Sequence, residues 1–271
     1  PTRRSSDLDR LADQGFYALA PDLFVVVAYG RILPPAILAV PRHGAWNVHA
    51  SKLPRYRGAA PVQWSLIRGD QRTAVTLMQM DPGLDTGPVL LDRDVDIAPD
   101  DTTGTLLARM GGLGSELLID GLTRLEAGAL PPPRPQDHAQ ATLAPLLEKD
   151  HGRVDFHRSA REVSGQLRGT DPWPGAFTIL SGLPTAKAEV LKLFAPTLIE
   201  GSGPPGTVLG CDRDGLRVAC GDSAVAIAEL QLPGRKRLPA AAAWSGLRLP
   251  AGTILDLDPA TGASRRNSLV S

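Results

Sequence analysis

Leu23-Phe24-Val25-Val26-Val27-Ala28-Tyr29 is an unbroken apolar run, rich in β-branched residues. A run of this length without polar alternation predicts a strand buried on both faces, as in a parallel sheet. On its amino side, Leu8 to Leu19 predicts a helix stopped by Pro21, and on its carboxyl side Pro34 to Val40 predicts a short helix opening on prolines. Ala45 to His49 predicts a second strand, Pro61 to Ile67 a helix, Thr73 to Met80 a third strand and Pro88 to Ile97 a fourth. Thr102 to Glu126 carries Leu106, Leu107, Met110, Leu113, Leu117 and Leu118 at helical spacing. Strands alternating with helices imply an α/β layered architecture.

The texture changes after Ala127. Leu130-Pro131-Pro132-Pro133-Arg134-Pro135 is stiff and extended, so residues 129–146 read as a linker between a domain at 9–128 and a second at 147–271. In that second part Ser159 to Arg168 predicts a helix. The stretches Ala176–Leu180, Ala188–Phe194, Gly206–Leu209, Leu216–Ala219 and Val225–Leu230 are short, β-prone and separated by turn residues, which predicts a small β-barrel or sandwich. Residues 1–8 (PTRRSSDL) lack the apolar stretch of a signal peptide and read as non-native sequence.

Composition sets limits on function. With 271 residues, 29 Lys and Arg against 29 Asp and Glu, and 42% hydrophobic content, the chain is neutral and globular, not a nucleic-acid-coating protein. Residues 147–271 hold 15 Lys and Arg against 13 Asp and Glu, a mild net +2. The longest apolar region, Tyr17 to Val40, is cut by Pro21, Asp22, Arg31 and Pro34, so no membrane span is expected. Cys211 and Cys220 cannot build a disulfide framework or a four-ligand metal site, and fit reduced thiols of a cytoplasmic protein. His43, His138, His151 and His157 show no metal-ligand spacing and read as surface or packing residues.

Asn47 and His49 stand two apart at the end of the second strand, so both project from one face. An amide donor beside an imidazole can stabilise an oxyanion and move a proton. Asp85 lies in Asp81-Pro82-Gly83-Leu84-Asp85-Thr86-Gly87-Pro88, a loop whose prolines and glycines can hold a carboxylate in one place. Taken singly, each also reads as ordinary: a hydrogen-bonded structural histidine, or an aspartate capping a turn.

Together they form a pattern. Asn47-Val48-His49, then Ser51-Lys52-Leu53-Pro54-Arg55-Tyr56-Arg57-Gly58, then Asp81 to Pro88 resemble the motifs of the folate-dependent formyltransferase family. Ala59-Ala60-Pro61-Val62-Gln63 resembles its tRNA-directed branch, as do Arg168 to Ala176, Gly206-Thr207-Val208 and Val218 to Asp222. The likeness runs from about Leu11 to Leu255. It implies a Rossmann-like formyltransferase domain, lacking the family's amino-terminal strands, followed by an oligonucleotide-binding-type barrel. A bare sheet edge, poor solubility and weak activity are then expected of this polypeptide alone.

The resemblance also implies a reaction. 10-Formyltetrahydrofolate is the co-substrate, no metal is needed, and the acceptor is the α-amino group of methionyl initiator tRNA, for translation initiation in the cytoplasm. Asn47 and His49 are implied as donors to the formyl oxygen, and Asp85 as the group orienting His49. His49, or a water held by Asp85, carries the proton. Ser51, Lys52, Leu53 and Pro54 are implied to border the folate and Tyr29 to Leu33 to line the pterin pocket, with Lys52 departing from the family's usual Leu. A monomer is expected, and Gly234-Arg235-Lys236-Arg237 is the best candidate for tRNA phosphate contact. Three other readings share parts of the pattern. They are a formyltetrahydrofolate hydrolase or sugar-nucleotide formyltransferase with the same polar trio, a non-catalytic RNA-binding module, and a zinc deacylase, which lacks a third ligand.

Overall fold

The computed structural model describes residues 19–180, 189–247, 250–258 and 263–264. The first eight residues, the amino-terminal helix read over Leu8 to Leu19 (Leu19 apart) and the start of the strand read from Ala188 lie outside them. The described residues form two compact units, one comprising those up to Val62, Arg72–Asp96 and Leu107–Leu146, the other Gln63–Gln71, Ile97–Leu106 and those from Leu147 onward.

The first unit is built on a four-stranded sheet in the order β1 (Phe24–Val26), β2 (Ala45–His49), β3 (Arg72–Gln79), β4 (Val89–Asp96). Only β1 and β2 run parallel, with Val25 opposite Trp46; β2–β3 and β3–β4 are antiparallel. The sheet is therefore mixed, where a parallel one was expected. The strand expected over Leu23 to Tyr29 is short and half-exposed, with Val25 at 43% and Val27 at 57%. At the end of the strand order, Phe24 and Val26 pack with Leu33, Ile37 and Met80, while alternation turns Val25 the other way. The short helix α1 (Pro35–Leu38) sits in the β1–β2 connection, and α2 (Pro61–Ile67) precedes β3.

Helix α3 (Thr103–Glu126) contributes its glycine-bearing side to this unit's sheet. A Cβ at Gly114 would stand 2.9 Å from Val48 Cγ1 and 3.5 Å from Val75 Cγ1, so the lack of a side chain is what lets helix and sheet approach. Val48 therefore faces the helix, and strand alternation places Asn47 and His49 on the opposite face. The proline-rich segment after α3 is tied to the same unit. Arg134 and Val89 exchange two backbone hydrogen bonds of 2.8 Å, and Arg57 N–H donates to Thr142 O and Ala144 N–H to Arg57 O at 2.8 and 2.7 Å.

The second unit carries an open antiparallel sheet in the order β5 (Phe177–Leu180), β6 (Glu189–Ile199), β9 (Ala224–Gln231), β8 (Gly215–Ala219), β7 (Val208–Asp212). It is a curled half-barrel, the form taken here by the expected small barrel. Its core gathers Phe156, Val163, Leu167, Leu191, Leu193, Leu216 and Ile227. Helix α4 (Ala160–Gly169) begins at a capping box, Ser159 Oγ accepting from the Glu162 N–H while Glu162 accepts from the Ser159 N–H. A helix that the sequence pattern did not predict, α5 (Ala240–Leu247), adds Ala240, Ala243 and Trp244 to the core. Of the basic turn, Arg235 and Lys236 are exposed. Arg237 is engaged within the protein. It pairs with Glu229 and, at 3.3 Å, with Asp171, and its guanidinium lies 4.0 Å over the Phe194 ring.

Candidate active site

The first unit brings Asn47, His49 and Asp85 together. Strand β2 ends with the first two on one face, and the loop between β3 and β4 returns the third to them. Asn47 Nδ2 donates toward Asp85 Oδ1 at 3.5 Å, and His49 Nδ1 lies 3.7 Å from Asp85 Oδ2. His49 is 5% exposed. Its Nε2 lies 2.9 Å from the Tyr56 carbonyl oxygen. A carbonyl only accepts, so Nε2 carries a proton and, in the neutral ring, Nδ1 presents its lone pair toward Asp85. Nε2 is engaged with Tyr56, which leaves Nδ1 as the ring atom facing Asp85.

Asp85 is held at both its side chain and its backbone. The Gly58 N–H donates to Oδ2 at 2.8 Å, and the Gln136 amide donates to the Asp85 carbonyl at 2.8 Å and to the Gly87 carbonyl at 2.7 Å. Its backbone has φ of 52°, in the left-handed region that costs a residue with a side chain about 1 kcal/mol or more. Within the loop Asp81 Oδ1 accepts from the Gly83 N–H at 3.0 Å and the Thr86 hydroxyl at 2.6 Å. The carboxylate thus reaches the trio through a braced turn.

The segment expected to border the folate divides by burial. Ser51 is fully buried, its hydroxyl donating to Arg55 O at 2.6 Å and its carbonyl accepting from Thr76 Oγ1 at 2.6 Å. Leu53 is buried with Met78 and Val89. Lys52 is exposed and Pro54 half-buried, so these two supply the segment's surface. The Lys52 ammonium pairs with Asp92 and, at 2.8 Å, with Asp94. Burial works against its charge, but the two carboxylates outweigh burial and raise its pKa. In the Tyr29–Leu33 segment Tyr29 and Ile32 are exposed, while Leu33 joins the small core around Ile37.

Gln136 was missed from sequence, and Arg57 stood within the Ser51–Gly58 motif with no role assigned to it. Both are buried, and Arg57 donates to Gln136 Oε1 from Nε at 3.1 Å and from Nη2 at 2.7 Å. No group of three His, Cys, Asp or Glu able to hold a metal occurs among the described residues. None of their helices is long and apolar enough to cross a membrane.

An amide, an imidazole and a carboxylate around one point can stabilise an oxyanion and relay a proton, the needs of acyl transfer. Comparisons with known proteins agree with that class. Residues 2–122 match the formyl transferase family model, and residues 146–248 match that of the formyl transferase C-terminal domain. A methionyl-tRNA formyltransferase of Citrifermentans bemidjiense is 48% identical over 237 residues, covering 88% of this chain and 72% of that protein. One of Anaeromyxobacter dehalogenans is 51% identical over 232 residues, covering 85% and 73%. Among solved structures, HypX from Aquifex aeolicus in complex with tetrahydrofolic acid has TM-score 0.62 at 21% identity, covering 89% of this chain and 41% of that one. The methionyl-tRNA formyltransferase from Clostridium thermocellum has TM-score 0.55 at 20% identity, covering 72% and 80%; these two likenesses show the fold.

Proposed function

This chain belongs to the formyl transferase family, and on that premise we propose that Asn47, His49 and Asp85 are the centre at which it works. The protein transfers the formyl group of 10-formyltetrahydrofolate to the α-amino group of methionyl initiator tRNA. The observation that carries the assignment is the convergence of the three side chains, His49 Nδ1 at 3.7 Å and Asn47 Nδ2 at 3.5 Å from the two Asp85 oxygens.

The chemistry derives from these contacts. An α-amino group titrates near about 7.7–8.0, so a usable fraction is unprotonated at neutral pH. Its nitrogen attacks the formyl carbon and forms a C–N bond, and the formyl oxygen gains negative charge. Asn47 bonds Asp85 through one N–H and keeps a second for that oxygen; one such donor contributes about 10²–10³ in rate. The proton released by the attacking nitrogen passes to the His49–Asp85 pair. The tetrahedral intermediate then collapses, the bond from carbon to the folate nitrogen breaks, and the pair returns the proton to that nitrogen. The exposed surface of Lys52 and Pro54 borders the folate in this reading.

We place the reaction in the cytoplasm, where initiator tRNA is used, and propose that the enzyme acts as a monomer. We propose a catalytic domain at 9–128 joined through 129–146 to a second domain at 147–271. Asn47→Ala, His49→Ala and Asp85→Ala should each depress formyl transfer while leaving tRNA binding nearly intact. Wild-type turnover in His49→Ala would refute the assignment.

A further inference from the structure

We propose that Gln136 is a positioning residue for this reaction, its buried amide tying together the two loops that place Asp85 beside His49 and Asn47. The inference rests on the reaction centre proposed for Asn47, His49 and Asp85 and adds a residue from outside its motifs. Gln136 is 8% exposed and its amide is satisfied at both ends. Its Nε2 donates to the carbonyls of Asp85 and Gly87, and its Oε1 accepts from Arg57 Nε and Nη2.

The two ends of that amide reach the two halves of the site. Arg57 stands between Tyr56, whose carbonyl engages His49 Nε2, and Gly58, whose N–H donates to Asp85 Oδ2. On the other side, Asp85 and Gly87 belong to the turn in which Asp85 adopts φ of 52°. The position of its carboxylate depends on how that turn is held. Gln136 supplies two donors to that turn, at the Asp85 and Gly87 carbonyls, and ties them through the Arg57 side chain to the segment that orients the imidazole. Arg57 Nη2 also lies 3.1 Å from His138 Nδ1, which steadies the guanidinium from a second direction. Gln136 touches none of the groups assigned to the chemistry except through the Asp85 backbone, so its effect is one of position.

The test is Gln136→Glu. Glutamate keeps the acceptors for Arg57 but has no N–H for the two carbonyls. Misplacement by about an ångström costs on the order of 10² in rate, so kcat should fall about 10- to 100-fold, with KM for methionyl-tRNA within about 2-fold. The fall should shrink below about 3-fold when Gln136→Glu is placed on Asp85→Asn, since no charged carboxylate remains to be positioned. Independently of turnover, ¹⁵N NMR of the His49 ring in the full chain should show both nitrogens shifted by Gln136→Glu. Arg57→Lys, which loosens the other end of the tie, should shift them in the same direction and serves if the first variant fails to fold. Unchanged ring shifts in both variants, or equal losses of kcat with and without Asp85→Asn, would overturn the proposal. Shifted resonances with turnover untouched by Gln136→Glu and by Asp85→Asn would instead overturn the reaction centre and leave the positioning intact.

Discussion

Asp85→Asn removes a charge while keeping the side chain's size, and the contacts around it determine the consequence. In the native site both carboxylate oxygens accept, Oδ2 from the Gly58 N–H at 2.8 Å and Oδ1 from Asn47 Nδ2 at 3.5 Å. An asparagine has one acceptor and one NH₂, so one of those donors must now face a donor. The shorter Gly58 bond decides the flip, and the new NH₂ confronts Asn47. Two things are lost together: the orientation of the oxyanion donor and the negative partner of His49. Hydrogen bonds to a charged group contribute about 1.5–3 kcal/mol, and positioned acid–base groups about 10²–10⁴ in rate. The variant should therefore lose about 10²- to 10⁴-fold in kcat, or about 2.7–5.5 kcal/mol of barrier. Single-turnover transfer from 10-formyltetrahydrofolate to charged initiator tRNA, at saturating folate, reads this directly. A kcat within about 3-fold of wild type would show that the carboxylate has no part in the chemistry.

Other perturbations test neighbouring parts of the structure. A Cβ at Gly87 would lie 1.9 Å from the Gln79 carbonyl oxygen, so Gly87→Ala should displace the loop, destabilise by about 1–3 kcal/mol in urea unfolding and lower kcat; unchanged unfolding would contradict the packing. Burial acts against the Asp92 charge, but hydrogen bonds from Lys52 and Arg134 prevail and hold its carboxyl below its ordinary value. Its contribution to stability is thus present above the unfolded value of about 3.9 and lost as pH falls through the folded one. Asp92→Asn should accordingly flatten the acid limb of stability against pH, and an identical acid limb would refute the ion-pair account. Burial, with Asp222 nearby, pushes the Cys220 thiol up to about 12. Iodoacetamide at pH 8 should leave Cys220 unmodified until the protein unfolds, and rapid native labelling would show that its burial is wrong.

Much of the fold was legible from residues alone, for identifiable reasons. Ala45–His49 and Pro61–Ile67 stand where the apolar pattern placed them, because a bounded apolar run and a proline at a helix start are local signals. The strand direction was not legible: the run at Leu23–Tyr29 looked like an interior strand, yet pairing order is decided by partners distant in sequence. Ala240–Leu247 went unassigned since four alanines carry no amphipathic period, although they favour helix intrinsically. The trio was legible through its motifs. Gln136 was not, because it sits in a proline-rich stretch whose composition signals an extended linker. Only the fold shows that this stretch lies against the site. The partners of Arg237 were not legible either, since a basic turn gives no sign that Glu229, Asp171 and Phe194 contact its guanidinium.

The measurement closest to the central claim compares single-turnover formyl transfer in His49→Ala, Asp85→Ala and the double variant. Residues that share one proton act as a unit, so the double variant should be no slower than the worse single by more than about 3-fold. Losses that multiply in full would contradict a single centre built from His49 and Asp85.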